Sequence, residues 1–329
     1  EMTSSLVGSE MCIRDRFREE FRQKPSELVD IQESKIAYHA GATLEQAQPV
    51  GHSVIEVNNR EDLQAVLNTN AGSGKTLFLR AGEYRLKQSL TIPSDIHICG
   101  EGRSTVLICE PTIRTAAILL GDLDAKNITI ENLVVDGSKE HQDAYDPNSG
   151  RFYRTGRYSN ALAGISMRGE AGHAFSNIKL KNLTVINFSR SGVYISDAEG
   201  IEIHHCDFTE NGAHVVPGPR LQHNLMIQHS SNIMIKDSRF DTSIRGCGLV
   251  LDHCKSLKVE NCEIARNGWH GLLMAECHNG KIENCLVEGN DGCGFMGEYL
   301  HDGSNLIQIR HNKIQYNNCL LYTSPSPRD

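Results

Sequence analysis

A repeat of short alternating strands runs along most of this chain and limits the folds that it can adopt. Each copy is an alternating segment, a polar residue and a second short segment, as in Ile128–Val135 and Leu257–Ile264. One apolar position aligns the copies: Ile130, Leu180, Ile203, Ile235, Val259, Ile282 and Ile309. The intervals between them are 50, 23, 32, 24, 23 and 27 residues. A base period near 23 residues with occasional insertions is typical of a solenoid whose coils are made of strands.

Stacked coils should pair equivalent strands in parallel, about 4.8 Å apart. One inward apolar ladder is then Ile165, Val193, Leu225, Leu249, Leu272 and Phe295, and a second is Val135, Val185, Phe208, Phe240, Ile264, Val287 and Ile314. The polar positions form a corner ladder of Asn132, Asn182, His205, Asp237, Asn261, Asn284 and His311. Because Asn and Asp adopt left-handed backbone readily, we interpret this ladder as structural.

The solenoid is predicted to occupy residues 54–318 as a single all-β domain. A short helix within residues 60–69, with Leu63, Val66 and Leu67 on one face, would cover its first coil.

Both ends of the chain differ from the repeat. Residues 17–53 are polar and aperiodic, which predicts a poorly structured leader. Residues 1–16 and 319–329 resemble translated sequencing-adapter read-through, and we interpret them as non-native. The expectation is therefore a domain that is truncated at its C-terminal end.

Composition excludes some functions. The net charge of −8 argues against a nucleic-acid partner, which needs a basic face. No apolar run reaches the roughly 18 residues of a membrane span. Seven of the 11 cysteines fall on shared coil positions, such as Cys206, Cys262 and Cys285, so we expect them to line the core rather than form disulfides.

Several segments resemble a known fold family. Glu61–Val66, Leu77–Tyr84, the turn Cys99–Gly102 and the later coils are similar to the right-handed parallel β-helix of the pectate-lyase-like superfamily. The resemblance covers roughly residues 54–318. It implies right-handed coils, a polysaccharide partner, an extracytoplasmic (secreted or periplasmic) location, and relatives that are polysaccharide lyases, epimerases and glycoside hydrolases.

Two insertions interrupt the repeat, Gly137–Ala163 and Gly212–His223. Both leave from the same corner of the coil and are two coils apart, about 10 Å along the axis. Long loops on a rigid scaffold are the usual location of function. We therefore expect the two insertions to wall a groove on one face of the solenoid.

The strand beside that corner carries the candidate site residues. Its outward row is predicted to be Arg168, Ser196, Gln228, Asp252, Ala275 and Glu298. We predict catalytic roles for Arg220, His223, Arg245, His270, Asp252 and Glu276. We predict substrate contacts for Arg168, Arg190, Tyr194, Gln228, His229, His253, Trp269, Glu298, Tyr153 and Arg154. Asp252 and Glu276 are also candidate ligands for Ca²⁺, which prefers oxygen donors; no other cofactor is indicated.

Three functions remain open. The cluster of arginines and histidines favours a lyase or C5-epimerase acting on an acidic polysaccharide, in which a base removes the proton α to a sugar carboxylate and cations neutralise that carboxylate. A glycoside hydrolase needs two carboxylates, and strand spacing puts Asp252 and Glu298 about 9–10 Å apart, near the inverting range. A non-catalytic glycan-binding or structural solenoid would use Trp269 and Tyr194 as stacking surfaces.

Overall fold

The computed structural model describes residues 53–138, 144–146, 151–153, 161–170, 174–212, 222–298 and 306–323; for 144–146, 151–153 and 319–323 it describes the backbone. Within these ranges the chain forms stacked coils whose strands pair in parallel from one coil to the next. The predicted all-β solenoid is confirmed. The short strands end where the alternation in the sequence ends, because only alternating residues can bury one face and expose the other.

One side of the solenoid is a nine-stranded sheet, which we call the front sheet. Its strands are β4 (Leu90–Ile92), β7 (Ala116–Leu120), β11 (Ala163–Arg168), β13 (Ser191–Ser196), β16 (Leu225–Gln228), β19 (Leu249–Asp252), β22 (Leu272–Ala275), β25 (Cys293–Glu298) and β28 (Cys319–Thr323). The strands run past the predicted end of the domain at residue 318, since β28 pairs with β25.

The rest of the coil forms a 17-stranded sheet that turns a corner, which we call the bent sheet. Its first row contains β1 (Val54–Val57), β2 (Thr76–Leu79), β5 (Ile96–Gly100), β8 (Lys126–Asp136), β12 (Phe175–Ile186), β14 (Ala198–His204), β17 (Ser231–Lys236), β20 (Lys255–Glu260), β23 (His278–Glu283) and β26 (Ile307–Arg310). Its second row contains β3 (Gly82–Leu86), β6 (Thr105–Cys109), β15 (Asp207–Thr209), β18 (Arg239–Asp241), β21 (Glu263–Ala265), β24 (Leu286–Glu288) and β27 (Lys313–Gln315). The long strands β8 and β12 run through both rows.

The inward residues stack as the sequence predicts. On the front sheet, Ile165 pairs with Val193 and Val193 with Leu225, and the ladder continues to Phe295. On the bent sheet, Val135 to Ile314 form the second ladder. These side chains belong to one continuous core. Burying apolar surface at about 25 cal/mol per Å² makes this core the main stabilising contribution to the fold.

The corner of the bent sheet is the predicted polar ladder. Its seven residues all take positive φ, between 48° and 58°. Asn182 Nδ2 donates to Asn132 Oδ1 at 2.7 Å, and Asn261 Nδ2 donates to Asp237 Oδ1 at 3.0 Å. Left-handed backbone is least costly for Gly, Asn and Asp, and the amide bonds tie each corner to the next coil.

A second, fully buried asparagine ladder lies where the bent sheet leads back to the front sheet. Asn267 Nδ2 donates to Asn290 Oδ1 at 2.8 Å, and Asn290 Nδ2 donates to Asn317 Oδ1 at 2.7 Å. Each amide also donates to a backbone carbonyl, as Asn290 does to Ile264 O at 3.1 Å. A buried polar group without a hydrogen-bond partner is costly. In this ladder the side-chain amides bond to one another and also to backbone carbonyls of the coil.

A short helix precedes the second coil, as predicted. Helix α1 (Leu63–Thr69) buries Leu63 and Leu67 against the core, and Val66 packs beside them. Its N-cap is Asp62, whose side chain accepts from the Ala65 backbone N–H.

Two further features concern the described residues as a set. The nine cysteines whose side chains the structure describes are buried and form no disulfide: Cys99, Cys109, Cys206, Cys247, Cys254, Cys262, Cys277, Cys285 and Cys293. Within the described ranges, no helix has the length and apolar character that a membrane crossing requires.

The first predicted insertion contains an antiparallel ribbon. Strand β9 (Ala144–Asp146) pairs with β10 (Arg151–Tyr153). The remaining parts of both insertions lie mostly outside the described residues.

Candidate functional site

The outward row of the front sheet lies in the predicted register. Arg168 pairs with Ser196, Ser196 with Gln228, and Gln228 with Asp252. Ala275 and Glu298 follow on the next two strands. Alternation along each strand turns these side chains away from the core. Six consecutive coils therefore present one outward row that is polar except at Ala275.

A chain of contacts links this row to Tyr194. The Arg168 guanidinium carbon lies 4.5 Å from the centre of the Tyr194 ring, a cation–π contact. Tyr194 Oη donates to Gln228 Oε1 at 2.7 Å, and Gln228 Nε2 donates to Asp252 Oδ2 at 2.6 Å. Four side chains on four consecutive front-sheet strands are thus held in a fixed order.

A histidine between two carboxylates continues the chain. His253 Nδ1 lies 2.7 Å from Asp252 Oδ1, and His253 Nε2 lies 3.0 Å from Glu276 Oε2. The His229 ring centre is 4.9 Å from that of His253. His253 and Glu276 take positive φ (51° and 47°) at the corner after the front sheet. A proton on either nitrogen of His253 therefore has a carboxylate acceptor.

These carboxylates do not fit a bound Ca²⁺ ion. Calcium takes six to eight oxygen ligands. Asp252 instead accepts from Gln228 and contacts His253, and the His253 ring lies between Asp252 and Glu276. The sequence suggested these two residues as Ca²⁺ ligands, but their contacting oxygens already face protein nitrogens.

A groove of about 650 Å³ lies at the Arg168 end of the row. Its described lining residues are Thr115, Ala116, Leu119, Leu120, Leu162, Ala163, Ser166, Arg168, Arg190, Ser191, Tyr194, Met226 and Gln228. This set includes two arginines and no carboxylate. Arg168 is exposed and Arg190 is half-buried. The groove is therefore a cationic surface with an apolar floor.

A buried apolar stripe lies beside the polar row. Met226, Val250 and Leu273 stack in register on the outward side of the front sheet, in line with Tyr194. They form a small cluster, separate from the main core, against which Trp269 packs. Trp269 also contacts the His270 ring, with centres 4.4 Å apart.

His223 and His270, which the sequence suggested as catalytic, are buried. Their exposed fractions are 2% and 6%. His223 Nδ1 accepts from the Cys247 backbone N–H, and His270 Nδ1 accepts from the Cys293 backbone N–H, each at 2.9 Å. Each ring thus holds the backbone of the following coil, and the structure does not bring it to the exposed row.

The other predicted site residues divide into three groups. Arg245 and His229 are exposed, and Glu298 is half-buried in the outward row. Arg220 and Arg154 lie outside the described residues, as does the side chain of Tyr153.

The sequence reasoning missed the part of the groove formed by Leu119 and Ser166. Their register with Tyr194 is the signal that could have found them.

The fold and the groove define a parallel β-helix protein with an outward-facing groove. Residues 116–314 match the family model described as "Right handed beta helix region". This match spans more than half of the chain, and the chain belongs to that family. Among curated proteins, none matches the chain by sequence.

Solved structures show the same fold at low identity. The Dettilon tailspike protein is 11% identical with a TM-score of 0.53, over 86% of this chain and 55% of that chain. The Streptococcus pneumoniae surface adhesin PfbA is 10% identical with a TM-score of 0.52, over 83% and 76%. The enzymatically active domain of bacteriophage CBA120 tailspike protein 2 is 13% identical with a TM-score of 0.50, over 83% and 44%. The chain spans about half the length of the two tailspike chains.

Proposed function

We propose that this protein is a carbohydrate-active β-helix protein that binds an acidic, uronate-containing polysaccharide along its front sheet. The observation that carries the proposal is the groove, whose described lining contains Arg168 and Arg190 and no carboxylate. In a chain with a net charge of −8, a local pair of cations favours an anionic ligand over a neutral one. Guanidinium groups also match carboxylate geometry better than ammonium groups do.

The length of the site favours a polymer over a single sugar. The row from Arg168 to Asp252 crosses three strand spacings, about 14 Å. A chain lying along the solenoid axis could contact the arginines with one part and the Asp252–His253–Glu276 group with another. The half-buried Leu119 and Leu120 in the lining of the groove give such a ligand an apolar floor at its arginine end.

The reaction that we propose is proton abstraction α to the uronate carboxylate, as in a lyase or C5-epimerase. Glu276, with 42% of its side chain exposed, is the carboxylate of the group that solvent reaches most easily. His253 lies between Glu276 and Asp252 and can hold a proton on either nitrogen. An abstracted proton therefore has a short path away from the reacting sugar. General acid–base catalysis of this kind raises the reaction rate by about 10²–10⁴-fold.

A glycoside hydrolase is the second candidate, and the outward row provides a carboxylate pair for it. Asp252 and Glu298 lie two strands apart on the same row. This spacing, about 10 Å, is near the range of inverting enzymes. The pair Asp252 and Glu276 suits hydrolysis less well, because the His253 ring occupies the space where an attacking water would have to lie.

A non-catalytic glycan-binding solenoid is the third candidate. The fold is shared with a protein described as a surface adhesin, so the fold alone does not favour catalysis.

One set of incubations separates the three candidates. The full chain is incubated with alginate, pectate and chondroitin, and the ultraviolet absorbance of unsaturated uronates is followed. A rise in absorbance supports the lyase, and a changed C5 configuration by NMR without that rise supports the epimerase. Reducing-sugar release without unsaturation identifies a hydrolase instead. Binding without any product identifies the non-catalytic solenoid, and an absence of binding to all three polymers contradicts the uronate proposal.

A further inference from the structure

A second cluster of chemically active side chains lies on the bent sheet, apart from the front-sheet row. It consists of His97 and Cys99 on β5 and Glu131 on β8. A ring nitrogen, the thiol sulfur and a carboxylate oxygen from these residues all lie within 4.8 Å of one another. Among the described residues, no other group of three such side chains has this closeness.

The backbone dictates this convergence. His97 and Cys99 are separated by one residue on β5, so they share the outward face, while Ile96 and Ile98 point into the core. Cys99 pairs directly with Glu131 in the parallel register of β5 and β8. All three ligand atoms therefore project from two adjacent, rigid strands, which is the arrangement that holds a site in place.

We propose that His97, Cys99 and Glu131 bind a Zn²⁺ ion. Imidazole, thiolate and carboxylate are the donors that zinc accepts, and a thiolate together with an imidazole disfavours Ca²⁺ and Mg²⁺. Three protein ligands leave the fourth tetrahedral position for water. On binding, the metal replaces the thiol proton of Cys99, which passes to solvent, and His97 coordinates through Nε2.

The surrounding residues support the ligands in the way that metal sites require. His97 Nδ1 lies 3.0 Å from Thr76 Oγ1, which fixes the ring so that Nε2 faces Glu131. Asn132 Nδ2 donates to Cys99 Sγ at 3.4 Å, a bond that stabilises a thiolate. Hydrogen bonds of this kind to metal ligands commonly set their orientation and affinity.

The distances allow the metal with small side-chain movements. His97 Nε2 and Glu131 Oε1 are 2.8 Å apart and in direct contact. In a tetrahedral zinc site, bonds of about 2.0–2.3 Å put ligand atoms roughly 3.2–3.8 Å apart. The His97–Glu131 contact must therefore open slightly to admit the metal. The side chains of His97 and Glu131 are 29% and 23% exposed, so the metal has a route from solvent. Lys181, which lies near Glu131, opposes binding through its charge.

Cobalt substitution tests the proposal directly. The metal-free full chain is titrated with Co²⁺, and the thiolate-to-cobalt charge-transfer band is followed in the near ultraviolet. We expect one equivalent to produce the band and Zn²⁺ to displace it. In a chelator competition, Cys99→Ser and Glu131→Gln should each weaken Zn²⁺ binding by at least about tenfold. Zn²⁺ should raise the melting temperature of the wild type and not that of the variants.

Two controls keep the result specific. Cys109→Ser removes another buried cysteine of the bent sheet and should leave the cobalt band and the affinity unchanged. His253→Asn removes the histidine of the front-sheet group and should also leave them unchanged. The proposal is overturned if Co²⁺ gives no thiolate band, or if Glu131→Gln, which preserves the side-chain shape, binds Zn²⁺ as tightly as the wild type.

Discussion

Asn224 occupies the position that glycine holds in the neighbouring coils. Ser243 lies where the neighbouring coils have an asparagine of the buried ladder, and the amide of Asn224 takes the place of the missing ladder amide. Asn224 Nδ2 donates to Asn267 Oδ1 at 3.1 Å and to the Asp241 carbonyl at 2.9 Å. In the adjacent coil, a Cβ on Gly248 would lie 2.6 Å from Asn267 Nδ2. A ladder asparagine therefore excludes any side chain at the glycine position, whereas the smaller Ser243 permits one.

This relationship predicts strong coupling between the two positions. Asn224→Gly should lower the free energy of unfolding by about 1–3 kcal/mol, because it leaves buried partners unsatisfied. Ser243→Asn alone should also destabilise, since its amide meets that of Asn224. The double variant restores the pattern of the neighbouring coils and should approach wild-type stability. Chemical denaturation of the four proteins measures the coupling, and additive effects would contradict it.

Neutralising two carboxylates on the second row of the bent sheet should change the free energy of unfolding in opposite directions. Asp241 is 2% exposed and accepts from both Arg239 and Arg266. Asp241→Asn should therefore cost about 3 kcal/mol, because it leaves a half-buried arginine without its main partner. Asp207 makes one long contact, 3.8 Å from Arg239, and its Oδ1 has no hydrogen-bond partner. Asp207→Asn should therefore stabilise the protein at neutral pH.

The pH dependence of the second variant follows from the same burial. Burial raises the pKa of Asp207 above its ordinary value, with Arg239 opposing the shift. The folded state then binds more protons than the unfolded state between the two pKa values, so wild-type stability falls as the pH rises through this window. The advantage of Asp207→Asn should shrink as the pH is lowered through the raised pKa. Denaturation midpoints across that range provide the check; a constant difference would contradict this cause.

The groove arginines should control affinity for the acidic polymer. Arg168→Gln and Arg190→Gln should each weaken binding by roughly tenfold, because each removes a charged hydrogen bond. The effect should diminish at high salt, which screens exposed charges. The matched control is Arg85→Gln, an exposed arginine of the bent sheet. If Arg85→Gln weakens binding as much as Arg168→Gln, the groove is not the binding surface.

The corner histidine of the front sheet should control turnover more than affinity. His253→Asn should reduce kcat by about 10²–10⁴-fold with a smaller change in KM, because it removes the group between Asp252 and Glu276. Asn tolerates the positive φ of this position, so the backbone should be unaffected. His311→Asn is the control, since His311 has a similar φ of 55° at a corner of the bent sheet. Equal activity of His253→Asn and wild type would remove His253 from the reaction.

The sequence predicts the fold well because the period is carried by residue type. Inward positions such as Val193 and Phe240 must be apolar in every coil, and corners such as Asn182 must tolerate positive φ. The outward row, including Gln228 and Asp252, follows from alternation alone. Both rules are local, so they can be applied without knowing which side chains touch.

The sequence is least informative where alternation stops. His223 and His270 precede front-sheet strands, and alternation does not define the direction of a side chain in a turn. The sequence feature that accompanies the buried His270 ring is Gly292 in the next coil, because a Cβ there would lie 2.5 Å from His270 Nδ1. The exchange between Asn224 and Ser243 was likewise hidden, because it depends on packing between two positions that are each unremarkable alone.

The corner from which both predicted insertions leave has a consequence for engineering. Strands β8 and β12 stay in register although residues 137–162 lie between β8 and the next front-sheet strand, and β13 and β16 stay in register although residues 197–224 separate them. The alignment of the coils is thus independent of the length of chain added at this corner. We expect this corner to accept foreign loops of unrelated length. The inserted segment could then be exchanged while the stacked strands of the solenoid are kept.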